Sequence, residues 1–83
     1  MRQEDRTNIK QRFGLAIRQR RHELGISQEE LSFRAGLHRT YISDIERGFR
    51  SPSLENIEKL AKALEIPIYI LFADYGVEKG ESD

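Results

Sequence analysis

Arg39, Thr40, Ser43 and Arg47 are spaced so that, on a helix, all four share one outward side. Two guanidiniums and two small hydroxyls on one face suit contact with base edges and phosphate oxygens. Arg39 is the strongest candidate for direct readout. Its fork can donate two hydrogen bonds to guanine O6 and N7, a pairing that discriminates by about 1–3 kcal/mol. Thr40 and Ser43 are short enough to let a backbone approach a groove, and Thr40 can meet a thymine methyl or a phosphate. The competing expectation for all three is a plain solvated helix face. Arg47 and Arg50 suit contacts to the DNA backbone or minor groove, with ordinary surface charge as the alternative. Tyr41 stands open between a ring that supports the core and a hydroxyl that reaches phosphate. Asp44 runs against a phosphate-facing surface, so it must point away from the backbone or accept a hydrogen bond from cytosine N4.

Other chemistry finds little support. His22 and His38 are sixteen positions apart, there is no cysteine, and neither histidine has a ligand spacing, so no metal is expected. His38 is placed at the start of the helix that carries Arg39, near phosphate or simply exposed in the turn. Glu29 and Glu30 are adjacent and face different directions on a helix, which removes them as a paired acid and base. No nucleophile with a base and no phosphate-cradling glycine loop is present. The chain is expected to be no enzyme, to need no cofactor and to take no small-molecule ligand.

The elements that must position these residues are legible from caps and glycines. Ser27 begins a helix with Glu30 three residues on, the spacing of a capping box. Leu31 and Ala35 of that helix face inward, and Phe33 is expected to be partly buried. Gly36 supplies the positive φ of a sharp turn, and Leu37 plugs the angle. The next helix starts at His38 or Arg39, turns Ile42 and Ile45 inward and ends at Gly48. Two short helices at such a turn form a helix-turn-helix, whose second helix can lie in the major groove. Before them, Asn8 caps a helix reaching Glu23 or Leu24, with Ile9, Phe13, Ile17 and Leu24 on one side and Gly25 as its end. Gly14 costs that helix about 1 kcal/mol and is tolerated if another helix approaches there. After them, Ser53 caps a helix with Leu54, Ile57, Leu60, Ala61 and Leu64 on one stripe. Pro67 fits the first position of a fifth helix ending at Ala73 or Asp74. The fold class is all-α with five helices, in one domain over residues 8–75, flanked by a frayed arm (1–7) and a mobile acidic tail (76–83).

The net charge of zero hides a gradient. Residues 1–53 hold eleven Arg and Lys against seven Asp and Glu, and residues 54–83 hold three against seven. A basic front on an acidic back suits a protein that shows one side to phosphates. No apolar run approaches the roughly 18 residues of a membrane span. A soluble, cytoplasmic, nucleoid-associated protein is expected.

From Phe13 to Phe72 the chain resembles the Cro/CI-type (Xre) helix-turn-helix family of phage repressors and small bacterial regulators. The resemblance rests on Ile17-Arg18-x-x-Arg21, on Leu24 to Leu31, on Ala35-Gly36-Leu37, on Tyr41 to Gly48 and on Pro52-Ser53-Leu54. Within the family, Arg39 to Ser43 followed by Ile45-Glu46-Arg47 is similar to the controller proteins of restriction–modification systems. The resemblance implies a lambda repressor-like domain in which Gln28 clamps a phosphate and Arg21 pairs with Glu46 to hold the recognition helix. It also implies that Arg50 is a loop arginine near the operator centre.

The fifth helix is more apolar than one small core requires. Ile68, Leu71 and Phe72 can pack inward, leaving Tyr69, Ile70 and Tyr75 with an outward component. Ile68, Tyr69, Ile70, Phe72 and Tyr75 are therefore the expected interface of a homodimer. The leading expectation is a homodimeric transcriptional regulator that binds double-stranded DNA at a near-palindromic operator. The alternative is a helix-turn-helix protein-interaction module, antitoxin-like or coactivator-like, with weak DNA binding.

Overall fold

Five helices follow one another in the computed structural model, which describes residues 8–78: α1 (Ile9–Leu24), α2 (Gln28–Ala35), α3 (Arg39–Glu46), α4 (Leu54–Ala63) and α5 (Ile68–Asp74). The described residues contain no strand. Side chains satisfy the free N–H groups at three helix starts. Asn8 and Gln11 exchange hydrogen bonds of 3.0 Å in each direction. Ser27 Oγ accepts from the Glu30 N–H at 2.9 Å, and Ser53 Oγ from the Asn56 N–H at 3.1 Å. The capping box at Ser27 is only half made, because the Glu30 carboxylate takes Arg34 Nε at 3.0 Å instead of reaching back. Pro67 is the N-cap of α5, one position earlier than the spacing predicts. α3 stops at Glu46 rather than Gly48, with Arg47 as its cap.

The core draws on every helix: Phe13, Ala16 and Ile17, then Leu31 and Ala35, then Ile42 and Ile45, then Leu60 and Ala63, and finally Leu71, with Leu64 and Ile66 from the connection before α5. α3 packs on both α1 and α2, while α5 packs on α1 and α4. The α1–α3 approach is close enough to dictate a residue. A Cβ on Gly14 would lie 2.2 Å from the Ile45 carbonyl oxygen and 2.8 Å from that of Glu46. Between α2 and α3, Gly36 adopts a left-handed φ of 69°, which sets the turn, and Leu37 packs against the core beneath it.

Four expectations need correction. Phe33 is 83% exposed, because Leu31 and Ala35 take the inner side of α2 and Phe33 falls opposite them. Leu54 is 80% exposed and Ile9 is 55% exposed, each in a first helical turn that lines a shallow surface groove rather than the core. Val77, expected in a mobile tail, is fully buried in the core. The Arg12 Nε donates to its carbonyl at 2.7 Å, so the packed unit extends past residue 75. The arm 1–7 and residues 79–83 of the tail lie outside the described residues.

Candidate nucleic-acid interface

The site is built outward from a buried ion pair. Arg21 of α1 meets Glu46 of α3 through two hydrogen bonds, Nε to Oε2 at 2.7 Å and Nη2 to Oε1 at 3.0 Å. Both residues are buried, and Arg21 Nη1 also donates to the Ile26 carbonyl at 3.0 Å. Glu46 Oε1 accepts a further bond from Gln28 Nε2 at 3.0 Å. A carboxylate can only accept, so the Gln28 amide must turn its nitrogen inward and its oxygen outward. That oxygen accepts from Arg39 Nη1 at 3.4 Å. A chain of hydrogen bonds thus runs from α1, through the end of α3 and the start of α2, to the first residue of α3. It leaves the rest of the Arg39 guanidinium facing solvent.

Thr40 is exposed and Ser43 half-buried on the same side of α3, beside Arg39. His38 is the exposed N-cap of α3 and makes no side-chain capping bond. Tyr41 takes a supporting place: its ring packs against the core, and its hydroxyl accepts from Asn56 Nδ2 of α4 at 2.9 Å. Asp44 turns toward the arginines, with Oδ1 lying 3.5 Å from Arg47 Nη2 and Oδ2 3.7 Å from Arg50 Nε. Each guanidinium also covers a ring, Arg47 over Phe49 at 4.6 Å and Arg50 over Tyr41 at 5.0 Å. The i, i+3 spacing of Asp44 and Arg47 was the available signal for their pairing. Asn56 had none, since it meets the site only through the tertiary fold, while Phe49 reaches Arg47 through the local turn that ends α3.

A second surface lies on α4 and α5. Leu54, Ile57, Ile68 and Phe72 line a shallow groove edged by Glu55 and Glu58, and it adjoins another formed by Ile9, Phe13, Pro52, Ile57 and Phe72. Of the five residues expected at an interface, Ile68 and Tyr69 are exposed. Ile70, Phe72 and Tyr75 are half-buried against the protein's own core, because α5 also closes that core. Phe72 stacks on Phe13 with ring centroids 5.5 Å apart. The Tyr75 hydroxyl donates to Glu23, which also pairs with Arg20 at 3.3 Å. The Tyr75 bond chiefly, with the Arg20 pair, holds the Glu23 carboxyl below its ordinary pKa, and the bond to Glu23 raises the Tyr75 phenol above its own.

Among the described residues, no group of His, Cys, Asp or Glu is arranged to hold a metal ion, and no helix is long and apolar enough to cross a membrane. Residues 17–71 match the family model described as Helix-turn-helix, and the chain belongs to that family, in its Xre-type branch. It is similar to control protein C.BamHI of Bacillus amyloliquefaciens, with 57% identity over 60 residues covering 71% of this chain and 74% of that protein. Among solved structures it resembles the restriction–modification controller protein C.AhdI of Aeromonas hydrophila, with a TM-score of 0.74 and 48% identity, over 76% of this chain and 96% of that one. It also resembles the controller protein C.Esp1396I as a tetramer in complex with its natural 35-base-pair operator, with a TM-score of 0.77 and 32% identity, over 83% and 91% of the two chains.

Proposed function

We propose that this protein is a sequence-specific transcriptional regulator that binds a near-palindromic operator as a homodimer, in the manner of a restriction–modification controller protein. The observation that carries the reading is the bonded chain from Arg21 through Glu46 and Gln28 to Arg39. It supports a guanidinium held in place at the start of an exposed helix, where base edges would be read. The likeness to controller proteins, one of them bound to its operator, agrees with it. The resemblance assigned Gln28 to a phosphate, but its amide oxygen, turned outward, only accepts and holds Arg39 instead. The free N–H groups of the nearby α2 N-terminus would meet phosphate and fix register, while Arg39, Thr40 and Ser43 would meet bases. His38, Arg47 and Arg50 flank them, and Tyr41 supports the helix and the loop. The exposed Leu54, Ile68 and Tyr69 supply the surface for a second copy. A two-fold dimer would set its recognition helices about 34 Å apart, one turn of DNA. The protein would act in the cytoplasm without catalysing a reaction, its output set by its concentration through dimerisation.

Selection of bound duplexes from a random pool at near-physiological salt tests this reading. Enrichment of an inverted repeat is expected. Folded protein that enriches no motif, and binds DNA weakly with little salt dependence, would overturn it in favour of a protein-interaction module.

A further inference from the structure

The Asp44 carboxylate stands among the cations of the DNA-facing surface, where simple attraction to phosphate would exclude it. Its side chain is 23% exposed and lies between Arg47 and Arg50, which are 60% and 55% exposed. Each guanidinium is held from two sides, by Asp44 and by a ring, Phe49 for Arg47 and Tyr41 for Arg50. The Tyr41 ring is itself fixed, since its hydroxyl accepts from Asn56 on α4. The result is one layered array, Phe49–Arg47–Asp44–Arg50–Tyr41, which spans α3 and the following loop. Arginines are ordinarily long and mobile on a surface. These two are placed.

We propose that Asp44 is a specificity-determining residue, whose carboxylate clasps Arg47 and Arg50 so that they serve phosphates only where the DNA backbone comes to them. The inference rests on the proposed DNA-binding function. On random duplex the attraction is almost wholly to phosphate, and it is strongest for cations free to follow the backbone in any register. A clasped pair forfeits that freedom, and the carboxylate itself repels nearby phosphates. At the matched site the recognition helix is locked in one register, and arginines already in place lose little by being held. The clasp therefore weakens loose complexes more than the matched one. Discrimination comes here from a repulsive element set beside the attractive ones.

The test compares the wild-type protein with Asp44→Asn and Asp44→Ala. The Asn variant is nearly isosteric, and the Ala variant removes the carboxylate without adding an amide donor. Affinities are measured for the duplex that the wild-type protein selects and for a shuffled duplex of equal length and composition, across a salt series. Melting temperatures establish that each variant is folded. Both variants are expected to bind the shuffled duplex more tightly, by about two- to fivefold for each released arginine, the scale of exposed ion pairs. Binding to the selected duplex should change by less than about twofold, so the ratio between the two falls. The salt dependence on shuffled duplex should steepen by about 0.9 for each arginine released to a phosphate. A merely structural role would weaken both duplexes together. If the wild-type protein prefers its selected duplex and the variants keep the same ratio, the inference fails while the proposed function stands. If the wild-type protein shows no preference at all, both fail.

Discussion

Arg39 and Gln28 are neighbours in space, eleven positions apart in the chain, and they divide reading from holding. Arg39→Ala should relax the preference at one base pair of each half-site, by about 1–3 kcal/mol, and barely alter the salt dependence. Competition between the selected duplex and its single-base variants would check this. An equal loss on every sequence would make Arg39 a phosphate contact instead. Glu46 is a different kind of residue, for its two oxygens take N–H groups from Arg21 and Gln28 at once. Glu46→Ala should cost about 3–5 kcal/mol by stranding a buried guanidinium. A domain of this size loses roughly 4–8 °C of Tm per kcal/mol, so a fall well beyond 10 °C is expected, together with loss of binding. An unchanged Tm with binding intact would refute that account. The outward positions of Arg39 and Thr40 were legible in the sequence because helical spacing alone decides which side chains share a face. The bond from Gln28 to Glu46 was not, because it depends on where the end of α3 meets the start of α2. The Asn56 bond that anchors Tyr41 was hidden for the same reason.

Between elements, the tightest constraint is the crossing of α1 and α3 at Gly14. Alanine there would gain about 1 kcal/mol of helix propensity. It would also drive a Cβ into the Ile45 and Glu46 carbonyl oxygens, 2.2 and 2.8 Å away, which only a backbone shift can relieve. Gly14→Ala should therefore be destabilised by about 1–3 kcal/mol in urea unfolding and bind DNA less well, since α3 must move. A stabilised variant would show that the crossing yields freely. At the other end of α1, the Glu23–Tyr75 bond ties the helix to the chain just beyond α5. Because the Glu23 pKa is lowered from about 4.5, its contribution to stability is present above that pH and lost as pH falls through the lower folded value. The Tyr75 pKa is raised from 10.0, so its contribution is present below that pH and lost as pH rises through the higher folded value. Tyr75→Phe should flatten both limbs of a plot of Tm against pH, and two unchanged limbs would show that the bond contributes nothing. Helix starts were readable here because Asn8, Ser27 and Ser53 announce themselves chemically. Inner faces were readable at Ile17, Leu31 or Ile45, and misread at Phe33, which falls opposite Leu31 and Ala35, and in the first turns of α1 and α4. In those first turns the periodic stripe reaches open surface grooves instead of the core, as at Ile9 and Leu54.

For the molecule as a whole, the proposed dimer must use what α4 and α5 leave uncovered. Ile70 is half-buried in its own core, so a lysine there would damage the fold as much as any interface. Ile68→Lys is the cleaner change, because Ile68 is 42% exposed beside Leu54. It should give a folded monomer in ultracentrifugation with much weaker operator binding. A variant that remains dimeric would move the interface elsewhere. The charge gradient was plain in the sequence, as was the surplus of apolar residues near the C-terminus. What composition could not disclose is where the folded unit stops, since an acidic, glycine-containing stretch gives no warning that one valine in it will be fully enclosed. Val77 is that residue, fastened at its carbonyl by Arg12 and followed by a Glu78 N–H bonded to the Phe72 carbonyl. A gene shortened to end at residue 75 would encode a protein with a hole beside α1, ready to be cleared by the cell's degradation machinery. A reporter fused directly after Tyr75 would inherit the same fault.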